Sequence, residues 1–300
     1  MNQRLTFSTA LLLTIPPLLW AGNAVVGRMV AGLVPPITLN FMRWVLAFVL
    51  LLPVAWWVLR ARSPFWPLLW RRYALLGLLG VGCYNALQYL ALKTSTPVNV
   101  TLVGSSMPVF MLALGALFFG QRITRRQLAG AVLSIAGVLL VLSHGYLERL
   151  AQVSFVPGDV YMLFATAAWA WYSWLLSQPK DPPAIRSDWA AFLMAQMVPG
   201  LMWSGMFSAV EWGTTDARIV WSWPLAAALV FIAVGPAILA YRSWGLGVQR
   251  VGPNIAGFFS NLTPAFAALF SAAFLGEPPA LYHAIAFALI VGGIVVSSRR

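Results

Sequence analysis

The 300-residue sequence has one cysteine, Cys83, two histidines and seven acidic residues. A lone cysteine excludes an internal disulfide, and no Cys, His or carboxylate group recurs at metal-ligand spacing, so neither a metal nor another cofactor is expected. The histidines, His144 and His283, stand near the ends of apolar runs without a carboxylate partner in sequence, which leaves an enzyme no acid–base set. Charged residues make up 9% of the chain and hydrophobic residues 61%, against about 25% and 45–50% in a soluble domain. A separate soluble catalytic domain is therefore not expected. The formal charge of +12 comes with no recurring basic helical face and no nucleic-acid motif, so no nucleic-acid partner is expected either.

What is abundant is apolar sequence in lengths near the roughly 20 residues that cross a hydrocarbon core of about 30 Å. Ten runs qualify: Ser8–Ala31, Ile37–Leu59, Arg72–Leu92, Thr96–Phe119, Gln127–Ser143, Gly158–Leu176, Trp189–Val210, Pro224–Trp244, Asn254–Leu275 and Leu281–Ser297. The pattern predicts an all-α integral membrane protein of ten transmembrane helices, with the lipid bilayer as its surroundings. "LVPP", "SPFWP", "QPKDPP" and "GEPP" separate runs with turn chemistry. The first run, with a single upstream Arg4 and nine further runs behind it, reads as a spanning helix and not a cleaved leader. If the N-terminus is cytoplasmic, fourteen Lys and Arg residues fall on the inner side. Only Lys93, Arg149 and Arg218 fall outside. Cytoplasmic loops concentrate these residues, so both termini are expected inside.

Two stretches, "FFGQRITRRQLAGAVLSIAGVLLVL" (Phe118–Leu142) and "FLGEPPALYHAIAFALIVGGIVV" (Phe274–Val296), have the same cadence. A shift of 156 residues brings Pro97 onto Pro253, Pro108 onto Pro264, Phe110 onto Phe266, Gly120 onto Gly276 and Gly137 onto Gly293 without a gap. Prolines and glycines constrain the backbone, which makes their coincidence informative. The matched segments would cross in opposite directions. The chain is thus expected to consist of two inverted five-helix repeats, residues 1–145 and 146–300, an architecture that transporters use for alternating access.

These two stretches resemble the closing helices of EamA repeats, and "LLWAGNAVVGR" and "ATAAWAWYSW" resemble their openings. The resemblance covers essentially the whole chain and implies the drug/metabolite transporter superfamily. Within it, the chain is most similar to bacterial inner-membrane exporters of aromatic amino acids. It implies a multi-pass protein of the bacterial inner membrane, a monomer, carrying a small-molecule substrate.

Candidate site residues follow from helical spacing. Tyr84, Asn85, Gln88 and Tyr89 occupy about 140° of arc on the third run. A polar face turned to lipid costs about 1–3 kcal/mol or more per unsatisfied group, so it is expected to face a cavity or a partner helix. Tyr241 and Trp244 take the corresponding places in the eighth run. Trp169, Tyr172 and Ser173 share a face of the sixth, and Trp20 with Asn23 corresponds to it in the first. Ser105, Ser260 and Asn261 lie within a turn of Pro108 or Pro264, where broken backbone exposes carbonyls, or where the serines themselves satisfy them. Gly104, Pro108, Gly257 and Pro264 are candidate gating hinges. Trp174 reads as an interfacial belt residue.

Lys93, at the outer end of the third run, is a candidate for attracting a carboxylate or simply reaches the interface. Arg43 reads as a snorkelling cation or one paired with a loop carbonyl, and Glu277 as a structural acid favouring a helix start. All seven acids fall in loops or near run ends, whereas proton relays use intramembrane carboxylates. The expectation is gradient-driven export of aromatic and other neutral amino acids, not obligatory proton exchange. Alternatives are a proton-driven multidrug or other metabolite exporter of the same superfamily, a phosphorylated-solute exchanger, which would want paired deep cations, and a non-transporting scaffold, for which a cavity too narrow for solute would speak.

Overall fold

The computed structural model describes residues 4–95, 97–152, 154–275 and 280–299. No strand occurs among them. The principal helices are α1 (Phe7–Met29), α2 (Pro36–Ala55), α3 (Trp66–Thr94), α4 (Pro97–Gly104), α5 (Met107–Phe118), α6 (Arg125–Leu142), α7 (Pro157–Ser177), α8 (Trp189–Thr214), α9 (Trp223–Val251), α10 (Pro253–Phe259), α11 (Leu262–Leu275) and α12 (Leu281–Ser298). Among the described residues, each apolar run read from the sequence is mainly helical. Among the described residues, eight helical spans are long and apolar enough to cross a membrane; α7, with its Trp, Tyr, Ser and Thr residues, and the α10–α11 stretch are not among the eight.

Four features differ from expectation. Helix α3 begins at Trp66, before Arg71 and Arg72, and α9 continues past Trp244 through Arg250 to Val251. The charged residues there lie along the ends of helices and do not mark loops. The fourth and ninth runs are each two helices, broken at Ser105–Ser106 and at Ser260–Asn261. Pro108 and Pro264 sit in the first turn of α5 and α11, where a missing N–H costs no intrahelical bond.

The 156-residue repeat extends to backbone geometry. The π-helical turns Gly77–Cys83 in α3 and Ala233–Leu239 in α9 are separated by that offset, as are α6 and α12. Wide turns of this kind reposition the side chains that follow them. In α3 these are Tyr84 and Asn85; in α9 they are Ala240 and Tyr241.

Helix α6 begins in a capping box, with Gln127 N donating to Thr124 Oγ1 at 3.2 Å and Thr124 N to Gln127 Oε1 at 2.9 Å. Gly120, at φ +63° just beyond α5, supplies the left-handed residue that ends that helix. Helices α6 and α12 then pack backbone to backbone. A Cβ at Gly130 would stand 2.7 Å from the Gly293 carbonyl oxygen, and one at Gly293 would stand 2.6 Å from the Gly130 oxygen. Small residues allow such approach where lipid offers no hydrophobic drive between helices.

Helix α8 is the most buried span, and α1 and α12 are among the least. The outer surface carries Leu11, Val49, Val54, Leu117, Phe164 and Met202, apolar and exposed as contact with acyl chains requires. Glu277, with Gly276 and the two prolines that follow, lies outside the described residues.

Candidate functional site

Four helices from both halves bring aromatic rings together at the centre of the bundle. Trp20 of α1 meets Trp169 of α7 edge-on with centroids 5.2 Å apart and lies 5.6 Å from Trp244 of α9. Trp169 is also 5.0 Å from Tyr84 of α3, 5.0 Å from Tyr172 and 5.3 Å from Tyr241. Each such pair contributes about 0.5–1.5 kcal/mol beyond its buried area. Trp169 is the hub.

The polar ends of these rings are tied into the helices. The Trp244 indole N–H donates to Ser173 Oγ at 3.0 Å, and that hydroxyl donates to the Trp169 carbonyl at 2.8 Å. Tyr172 donates its hydroxyl to Gln196 Oε1 at 2.9 Å, and Tyr241 donates to the Gly80 carbonyl at 2.5 Å. Gly80 lies in the π-helical part of α3, where the ladder is widened. A phenol from one half thus binds backbone of the other.

Trp20, Tyr84, Trp169, Tyr172, Tyr241 and Trp244 therefore converge. Asn85 is buried beside them, with the Tyr241 hydroxyl within reach. Gln88 and Tyr89 are half-buried on the same helix and, among the described residues, join no ring contact or side-chain hydrogen bond. Asn23 is half-buried with its Oδ1 unpartnered. Lys93 is exposed at the end of α3.

Ser105 and Ser260 lie apart from the rings, at the two helix breaks. They turn their hydroxyls onto the Leu102 and Gly257 carbonyls, each at 2.6 Å. Ser106 does the same to Val103 at 2.5 Å. Each of these three carbonyls also accepts the backbone N–H of the same serine, so the turns at the two breaks are doubly bonded. Asn261 donates to Ser134 Oγ of α6 at 2.9 Å. Gly257 lies against Met111 and Pro108, and Gly104 against the end of Met162.

Two assignments are corrected. Trp174 is not an interfacial residue: it stacks on Phe119 at 4.8 Å and donates to the Met111 carbonyl at 2.9 Å, under Gly115. The glycine leaves the space that the indole fills. Arg43 does not snorkel: it is 2% exposed, its Nε and Nη2 have no hydrogen-bond partner, and its guanidinium lies 5.4 Å from the Trp44 ring centroid. Burying such donors unpaired costs about 1–3 kcal/mol each, and more when charged.

Sequence reading also missed Trp44, which packs edge-on against Tyr241 at 4.8 Å with its own Nε1 unpartnered. Asn40 Oδ1 is unpartnered as well. The i, i+3, i+4 spacing of Asn40, Arg43 and Trp44 was the available signal.

The remaining buried acids are engaged at helix ends. Glu211 of α8 accepts from the Ile37 and Thr38 N–H groups at 3.2 and 2.8 Å and from the Thr38 hydroxyl at 2.9 Å, capping α2, which has no cap of its own. Asp159 accepts from Ser95, from Asn99 at 3.1 Å and from the Val156 N–H at 2.9 Å. Asp181 holds Arg72 and, at 3.0 Å, Arg186. None faces the aromatic centre as a free proton acceptor.

The rings leave little room. A cavity of about 20 Å³ reaches the cluster from the end of the bundle that bears Arg186 and Arg242, lined by Tyr172, Gln196, Tyr241 and Trp189 among others. That volume holds about one water. At the cluster itself Trp169, Tyr172, Tyr241 and Trp244 are buried, and Trp20 and Tyr84 are half-buried.

Tandem helical halves around a shared aromatic centre define a polytopic membrane protein of repeat architecture. The chain belongs to the EamA-like transporter family, whose model matches residues 7–143 and again 156–299. It is 28% identical over 295 residues to an uncharacterized transporter of Archaeoglobus fulgidus, covering 97% of this chain and 98% of that one. It is 27% identical to a probable amino-acid metabolite efflux pump of Salmonella typhimurium, over 93% and 90% of the two chains. It is 25% identical to the aromatic amino acid exporter YddG of Ancylobacter novellus, over 80% and 78%. A solved crystal structure superposes with a TM-score of 0.72 at 24% identity, covering 96% of each chain; that likeness bears on the fold.

Proposed function

We propose that this transporter exports small amphipathic metabolites, aromatic and other neutral amino acids foremost, across a bacterial inner membrane. Its halves, residues 1–145 and 146–300, are five-helix units of opposite orientation, giving ten crossings with both termini cytoplasmic. The protein works as a monomer. Alternating access consists of the two halves parting first on one side of the aromatic cluster and then on the other.

One observation carries the reading: the rings of Trp20, Tyr84, Trp169, Tyr172, Tyr241 and Trp244 meet across the two halves. Aromatic faces suit flat amphipathic solutes and hold an ammonium by cation–π attraction of about 0.5–2 kcal/mol. The names borne by the Ancylobacter and Salmonella relatives point the same way. Movement driven by the solute gradient fits the engagement of Asp159, Asp181 and Glu211 at helix ends. The burial of Trp169, Tyr172, Tyr241 and Trp244 suits an occluded stage of the cycle.

The narrowness of the cavity beside Tyr172, Gln196 and Tyr241, about 20 Å³, favours a second reading, a non-transporting scaffold. Radiolabelled phenylalanine and tryptophan uptake into liposomes bearing the purified protein separates them, with alanine and a quaternary ammonium drug as comparators. Saturable aromatic uptake supports export; its absence from folded protein leaves the scaffold. Stoichiometric proton flux during uptake would overturn the gradient-driven mechanism.

A further inference from the structure

The first half of α2 presents three residues whose polar atoms the fold leaves unused. Arg43 is 2% exposed and Asn40 and Trp44 are wholly buried. Arg43 Nε and Nη2, Trp44 Nε1 and Asn40 Oδ1 are without hydrogen-bond partners. We propose that this face is the part of the solute site that recognises a carboxylate, with Arg43 as the binding cation. The inference rests on the export reading and narrows its substrate class to zwitterionic aromatic α-amino acids.

Among the described residues no carboxylate pairs with Arg43. The salt bridges formed among the described residues join Asp181 to Arg72 and Arg186, and Glu211 is occupied by the first turn of α2. A guanidinium offers two parallel N–H donors that match a carboxylate fork. The Trp44 indole N–H adds a third donor on the next residue.

Asn40 lies one turn earlier on the same face. Its Nδ2 is held by the Val81 carbonyl at 3.2 Å, which leaves Oδ1 as an acceptor suited to an ammonium. Donors for an anion beside an acceptor for a cation are the complement of a zwitterion. The Trp44 ring, 4.8 Å from Tyr241, leads into the aromatic cluster where the solute's side chain stacks. Parting of Trp44 from Tyr241 would open the face.

A buried arginine without a counter-ion also repels cations, so quaternary ammonium drugs and decarboxylated amines are poor solutes. Lys93, exposed at the end of α3, stays outside this recognition.

The test uses the full-length protein in liposomes with phenylalanine, phenylalanine amide and phenethylamine, in wild type, Arg43→Gln, Arg43→Lys and Trp44→Phe. Wild type is expected to prefer the acid by at least about tenfold, as when a site built for a charged group meets an analogue lacking it. Arg43→Gln brings the acid-to-amide ratio near one, and Arg43→Lys lies between. Apparent Tm is read in parallel. With an unpaired buried charge removed, Arg43→Gln should melt above wild type in the absence of solute, whereas an arginine with a purely structural role would melt below.

Equal uptake of acid and amide by wild type overturns the carboxylate site and leaves aromatic export standing, as does an Arg43→Gln protein that keeps the preference. Should Arg43→Gln not fold, the wild-type ratio and Arg43→Lys decide. If wild type moves no aromatic solute, export fails, and thermal stabilisation by phenylalanine but not by its amide, weakened in Arg43→Lys, tests the site alone. Equal stabilisation by both overturns it.

Discussion

The indole N–H of Trp244 reaches across from α9 to the hydroxyl of Ser173 on α7, at 3.0 Å, with both residues fully buried. Ser173 in turn donates to the Trp169 carbonyl, so the serine both anchors the ring and repays its own helix. Replacing Ser173 by Ala strands the indole N–H in an apolar centre, which costs about 1–3 kcal/mol. Thermal unfolding in detergent is expected to show that loss, and a smaller one when Ser173→Ala is made in a Trp244→Phe background, since no orphan donor then remains. Equal losses in the two backgrounds would mean that the bond is not formed.

Helices α6 and α12 make the opposite kind of contact, with no side chain between them. Gly293→Val places new atoms where Gly130 O stands 2.6 Å from a Cβ, with Ser134 at 3.0 Å. Neither neighbour is the end of a flexible chain, so the helices must part, at a cost of about 1–3 kcal/mol or more. Gly292→Val, one residue away with open space around it, serves as the control and is expected to fold normally. If both variants have the same apparent Tm, the close approach is not a feature of the folded protein.

How far these features could be read from the sequence depends on the surroundings of each helix. Tyr84, Trp169 and Tyr241 were legible because polar or aromatic groups at helical spacing stand out against Leu and Gly. Arg43 and Trp44 share a face with Asn40 by their spacing, but α2 is apolar on nearly every other face, so the pattern does not say that this side meets protein. A charge in such a helix reads as an exposed one until the packing is known. Pro108 and Pro264 marked the helix breaks, but whether a proline kinks a helix or starts a new one depends on the hydrogen bonds of Ser105, Ser106 and Ser260. The offset of 156 residues was visible in a few prolines and glycines, and the π-helical turns that share it have no sequence signature of their own.

Glu211 caps α2, whose own N-cap residue offers no side chain for the purpose, and is bonded by two backbone N–H groups and the Thr38 hydroxyl. Glu211→Gln keeps the shape but offers one oxygen where the site uses two, and it loses the charge that complements the helix start. A loss of about 1–3 kcal/mol is expected by denaturant or thermal unfolding, as for a buried charged hydrogen bond. Because the substitution lies at the helix end and not at the aromatic centre, uptake by the fraction that remains folded should keep its wild-type solute preference. A changed preference with unchanged stability would mean that Glu211 touches solute.

The two helix breaks lie in equivalent places of the repeat, but they are not equally confined. A Cβ at Gly257 would fall 2.7 Å from Met111 Cγ, near the root of a buried side chain, whereas one at Gly104 would meet only the Met162 terminal methyl at 3.1 Å. If the halves bend at these breaks, Gly257→Ala jams the contact between α5 and α10, and Gly104→Ala does not. Pro264→Ala acts from the other direction: the new N–H can bond back across the Ser260–Asn261 break and join α10 to α11 as one helix. Stopped-flow uptake into liposomes is expected to be slower for Gly257→Ala and Pro264→Ala, with Pro264→Ala at least as thermally stable as wild type, and near wild type for Gly104→Ala. A Pro264→Ala protein that cycled at the wild-type rate would assign the break to packing and leave the bending point to be sought at the π-helical turns of α3 and α9.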